Sequence, residues 1–123
     1  MRSVLLFALV SFFAISAPAA HQPLDVSMLK LLATPERFDG KFIRTYGFLR
    51  IAFEEKALYF HKDDYSHQLY KNSVWVDLPE TGEYLNLNMH YVLIEGIFNA
   101  NSYGHLHMFS GTLEKISRVQ PLQ

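Results

Sequence analysis

The stretch KFIRTYGFLRIAF, residues 41–53, decides the fold. Ile43, Thr45, Leu49 and Ile51 fall on one parity, and Phe42, Arg44, Tyr46, Phe48 and Arg50 on the other. Alternation sustained over this length is the mark of a β-strand, because successive side chains there point to opposite faces. Gly47, in the middle, predicts a bend, a bulge or a close approach of another backbone, as a strongly curved sheet requires.

Working toward the C-terminus, Glu54-Glu55-Lys56 reads as a tight turn into a second strand, Ala57 to His61, and Ser73 to Leu78 reads as a third, ended by Pro79. Lys62 to Asn72 between them is polar, Tyr-rich and His-containing, a loop with room for one helical turn. After the polar connector Thr81 to Asn88 comes the most strand-like run, His90 to Phe98, with Val92, Ile94, Gly96 and Phe98 on one parity. Asn99 to Gly104 is a turn cluster. A last strand is expected to start at His105, break at Ser110-Gly111 and continue through Leu113, Ile116 and Val119.

Toward the N-terminus, Val26 to Ala33 spaces its apolar groups as a short helix does, with Asp25 or Ser27 as cap and Pro35 as terminator. Asp39-Gly40 marks the turn into the long strand, and His21 to Asp25 is a polar lead. Residues 1–19 have the three parts of a secretory signal peptide: Arg2, an apolar run from Val4 to Ile15, and the cleavage box Ala17-Pro18-Ala19. That run falls short of the roughly 20 apolar residues of a spanning helix. The expectation is a periplasmic or secreted protein with no membrane span, whose residues 20–123 form one domain.

Loss of the leader removes Arg2 and leaves a slightly acidic chain of net charge about −2 with His neutral, which disfavours a polyanion partner and hence nucleic acid. The chain holds no cysteine, so disulfides, thiolate metal sites and cysteine nucleophiles are excluded. Stability has to come from packing.

A long first strand kinked at glycine, with closing strands of the form YVLIEGIFNA and SGTLEKISRV, resembles an OB-fold barrel of tRNA-anti-like pattern across Phe38 to Val119. The runs DGKFIRTYGFL, ALYFHKDD, KNSVWVDL, EGIFNA and GHLHMFSGTLEKISRV are similar to small exported bacterial OB-fold proteins, largely uncharacterised. What the resemblance implies is a mainly β fold, a five-stranded barrel with one short N-terminal helix. Most such barrels carry a helix between strands three and four, whereas Pro79 to Asn88 is a poor helix; the Val26 helix is expected to take its place as a lid.

Three chemistries compete. Arg44, Tyr46, Phe48 and Arg50 alternate cations and rings along one strand face, a stacking platform that Trp75 would extend; the competing reading packs these rings under a neighbouring loop. His105 and His107 would share a face on a strand and raise a weak metal candidate, completed by His61, His67 or His90. Asp63 and Asp64 with Ser66 and His67 form the one cluster from which acid-base chemistry could be drawn, but no GxSxG elbow accompanies it. The leading expectation is a monomeric, non-enzymatic binding module without a cofactor, its partner a protein or a cell-envelope glycan.

Overall fold

The computed structural model describes residue 11 and residues 13–16, 21–80 and 82–123. Most of the expected leader, its cleavage box included, lies outside them. The described elements are β1 (Leu24–Asp25), α1 (Met28–Ala33), β2 (Phe42–Ala52), β3 (Glu55–Tyr59), α2 (Lys62–Ser66), β4 (Ser73–Val76), β5 (His90–Asn99) and β6 (Thr112–Pro121), with short 3-10 turns between some of them.

β2 is the strand that the alternation of residues 41–53 predicts. On one edge Phe42 to Leu49 pair antiparallel with Ile97 to His90 of β5; on the other, Phe48 to Ala52 pair with Tyr59 to Glu55 of β3. Strands β3 and β4 pair antiparallel, β4 and β6 parallel, and β6 and β5 antiparallel, so the sheet closes on itself as a ring of hydrogen bonds, with two-residue β1 added to the edge of β2. The fold is therefore mainly β, with six strands among the described residues rather than five. The extra strand comes from the expected polar lead, where Leu24 and Asp25 run parallel to Ile43 and Arg44.

Gly47 sits where β3 crowds β2: a Cβ there would lie 2.5 Å from the Tyr59 carbonyl oxygen and 2.8 Å from Leu58 Cγ. The expected bulge at Ser110-Gly111 is displaced into β6, where Glu95 pairs with Arg118 but Ile97 pairs with Glu114, and Lys115 takes up the excess chain at φ 47°.

The inward parity of each strand builds one core, containing Ile43, Leu49, Ile51, Leu58, Val74, Val76, Val92, Ile94, Phe98 and Leu113. α1 adds Met28 and Leu31 to it, its first turn capped by the Ser27 hydroxyl accepting from the Lys30 N–H at 3.2 Å. Pro35 then starts a 3-10 turn that delivers Phe38 to the same core. The expectation of a single helix is not met, because Lys62 to Ser66 also winds into one, α2. α2 and the turn after it cover part of the outer face of the sheet, where Phe48, Ala57, Tyr59 and Phe109 form a second buried cluster flanked by Tyr65, Tyr70 and Trp75. Over this sector the sheet is buried on both faces.

The last strand departs most from expectation. It begins at Thr112, not His105, because Gly104, Leu106 and His107 have φ of 65°, 53° and 56°, which no extended strand adopts. The alternating segment His105-Leu106-His107 is a 3-10 turn in the connection from β5 to β6. Among the described residues no helix is long and apolar enough to cross a membrane.

Candidate functional site

The expected platform on β2 is largely consumed by the protein itself. Phe48 is 2 % exposed, with its ring between Tyr65 and Tyr91 at centroid distances of 5.7 and 5.3 Å. That corrects its assignment as a contact residue: α2 and β5 supply the rings that cover it. Arg50 lies over Tyr65, its Cζ 5.6 Å from the ring centroid. Arg44 donates from Nε to Glu95 Oε1 at 2.8 Å, and Arg118 of β6 donates to the same oxygen at 3.1 Å. The hydrogen bond it donates to Glu95 is the main reason the Arg44 guanidinium holds its proton more tightly than usual. Tyr46 donates its hydroxyl to Asp25 Oδ1 at 2.8 Å, which raises the phenol above its ordinary range. These side chains tie strands together more than they offer a free surface.

Trp75 is different. Its parity on β4 is outward, opposite Val74 and Val76, and it stays half-buried at the base of a groove of about 490 Å³. The floor follows from the sheet register: Trp75 pairs with Thr112 and Val76 with Leu113 in parallel, so Trp75 on β4 and Asp77 just past its end stand beside Thr112 and Glu114 on β6. The wall is the β5–β6 connection, which contributes Asn101, Ser102, Tyr103, His105 and His107.

That wall is held by named contacts. The Thr112 hydroxyl donates to the Ser102 carbonyl at 2.8 Å, Asn99 Nδ2 donates to Glu114 Oε1 at 2.9 Å, and the Phe109 N–H donates to the Tyr103 carbonyl at 3.0 Å. Around the indole, His105 stacks at 6.5 Å with planes 28° apart, Phe109 meets it edge-on at 5.3 Å, and Lys56 Nζ lies 5.6 Å from the ring centroid. His105 Nε2 also stands 3.8 Å from Glu54 Oε2, so the β2–β3 hairpin tip meets the wall at His105.

The histidines do not form the expected strand pair. His105 packs on Trp75 while His107 packs against Tyr103 at 6.0 Å, a consequence of the left-handed backbone at Leu106 and His107. Among the described residues, no group of three His, Asp or Glu side chains gathers to hold a metal ion.

Asp63, Asp64, Ser66 and His67 all belong to α2 or its end, and they serve it locally. His61 Nδ1 accepts from the Asp63 N–H, His67 Nδ1 lies 2.8 Å from the Asp63 carbonyl oxygen, and Ser66 donates to the Lys62 carbonyl. Asp64 is 8 % exposed and accepts from Asn72 Nδ2 at 2.9 Å, pinning α2 to the turn before β4. The acids diverge, one outward and one inward.

Sequence reasoning finds Trp75 but not Thr112, Glu114, Asn101, Ser102 or Tyr103. The signal for Glu114 is its shared parity with Thr112 in the closing strand; nothing local marks the other three. Comparison with protein-family models, curated proteins and solved structures finds no match to this chain.

Proposed function

We propose that this protein is an exported, non-enzymatic binding module that takes a cell-envelope glycan in the Trp75 groove. The observation carrying the reading is the groove's composition: apolar indole surface lines it beside the ring's own packing partners His105, Phe109 and Lys56, and hydroxyl, amide and carboxylate groups surround it. Sugars need both, because one face of a pyranose is apolar and its rim is lined with hydroxyls that donate and accept hydrogen bonds.

The fold proposal goes with it. The ring order β2-β3-β4-β6-β5, in which the final strand runs parallel to the third strand of the ring, supports an OB-type barrel, and such barrels bind oligosaccharides and oligonucleotides on this kind of face. Fold alone assigns no ligand, so the groove's chemistry carries the choice. Its acids and the chain's acidic balance disfavour nucleic acid. Export rests on residues 1–19, and deleting them is expected to retain the protein in the cytoplasm.

Trp75 is the only tryptophan, which makes its fluorescence a direct reporter of the groove. Titration with muramidase-solubilised peptidoglycan is expected to change that emission saturably. Pull-down on insoluble envelope glycan is expected to fail for Trp75→Ala and to persist for Leu29→Ala, on the exposed side of α1. An emission that no envelope glycan alters, or Trp75-dependent capture of a protein in place of glycan, overturns the glycan reading.

A further inference from the structure

We infer that the saccharide held by the Trp75 groove bears a free primary ammonium, seated against Asp77 and Glu114. The inference rests on the glycan reading and adds the class of sugar.

Asp77 and Glu114 are neighbours by register. Val76 pairs with Leu113, and the Asp77 N–H donates to the Leu113 carbonyl at 2.9 Å, which carries the parallel pairing one residue further. Two carboxylates so placed on adjacent strands repel one another. Among the described residues neither takes part in a salt bridge: Glu114 accepts from the neutral amide of Asn99, and the nearby cation, Lys56, lies over the indole.

Glu95, on the adjoining part of the same sheet, shows the contrast. It is nearly buried and receives two guanidinium groups, Arg44 at 2.8 Å and Arg118 at 3.1 Å. The fold therefore compensates a carboxylate where the charge is structural, and leaves two on neighbouring strands in the lining of the Trp75 groove. A neutral sugar would hydrogen-bond to both acids without relieving their repulsion. An aminohexose does both, filling the groove beside Trp75 and setting its ammonium between the acids.

The test compares a glucosamine tetramer with its fully N-acetylated counterpart, read by Trp75 fluorescence on the purified chain. The glucosamine tetramer is expected to bind about tenfold tighter, with the difference shrinking at 1 M salt, where the screening length falls to about 3 Å. In the double variant Asp77→Asn, Glu114→Gln, which keeps carbonyl acceptors in both places, the two tetramers are expected to bind alike and thermal stability is expected not to fall. Equal or tighter binding of the acetylated tetramer to the wild-type chain overturns the inference while leaving the glycan reading in place. A preference that survives in the double variant also overturns it. Binding of neither tetramer overturns it as well, while muramidase-solubilised peptidoglycan in the same assay decides the glycan reading separately.

Discussion

Gly104 stands so close to Trp75 that a Cβ on the glycine would lie 2.7 Å from Trp75 Cβ and 2.8 Å from Cγ. The groove wall thus depends on a residue without a side chain, in a backbone conformation (φ 65°, ψ −156°) that is essentially confined to glycine. Gly104→Ala is expected to cost at least about 1–3 kcal/mol from backbone strain, and roughly 4–8 °C in melting temperature for each kcal/mol. Thermal unfolding measures the loss, and a red shift of Trp75 emission reports that the wall has lifted. Unchanged melting and emission would show that the β5–β6 connection does not need this contact.

Asn72 and Asp64 form a second dependency. Removing the amide in Asn72→Ala leaves a nearly buried carboxylate without its side-chain donor, an expected cost of about 1–3 kcal/mol. Limited proteolysis is expected to cut between residues 62 and 72 faster than in the parent. The exchange Asp64→Asn with Asn72→Asp reverses donor and acceptor and is expected to recover much of the protection. Equal cleavage of parent and Asn72→Ala would remove this role.

Burial, followed by the hydrogen bond to Glu55, pushes the Tyr59 phenol far above its usual value of 10.0, and Tyr46 and Tyr84 are raised as well. The sign follows from linkage: below pH 10 folded and unfolded chains both keep the protons, whereas above it the unfolded chain releases them first. Stability is therefore expected to be intact below pH 10 and to fall progressively as pH climbs beyond it. Urea midpoints measured across the alkaline range check this, with a shallower decline expected for Tyr59→Phe. All seven tyrosines titrating with a midpoint near pH 10, with the fold intact, would contradict the burial of Tyr59.

Glu95 is expected to be more sensitive than either arginine. Glu95→Ala strands Arg44 and Arg118 together with no carboxylate, while Arg44→Ala or Arg118→Ala leaves the acid one partner. Melting temperatures should rank Glu95→Ala lowest. Because the shared acid couples them, the two arginine substitutions together should cost more than the sum of each alone.

How far the sequence could be read depends on whether a local rule or a distant contact sets each segment. The alternation in Lys41 to Phe53 and the buried glycine within it identify β2 because period and close approach are local and steric. The helix at Met28–Ala33 is legible for the same reason: Ser27 and Pro35 bound it chemically. His105-Leu106-His107 misleads because its alternation imitates a strand, while Phe109, buried in the outer cluster, and Gly104 against Trp75 curl the segment back over β4. Such anchoring comes from residues about thirty positions away in the chain, and no local period records it.

Trp75 was legible as a candidate through its outward parity, but its surroundings were not. They depend on β6 entering beside β4 in parallel, a pairing between segments whose relative register no turn specifies. Phe48 shows the opposite error. It alternates as a surface residue should, yet the rings of Tyr65 and Tyr91 close over it from outside the strand.

The position of β6 governs how the chain can be assembled. This strand comes last in sequence but is threaded between β4 and β5, so until Thr112–Pro121 has arrived both of those neighbours present unsatisfied amide and carbonyl rows. A nascent or truncated chain ending before Thr112 is thus an open ribbon with two adhesive margins, prone to pair with its own kind. Completion waits on the C-terminal segment, whose docking makes a self-sealing molecule of an otherwise aggregation-prone one.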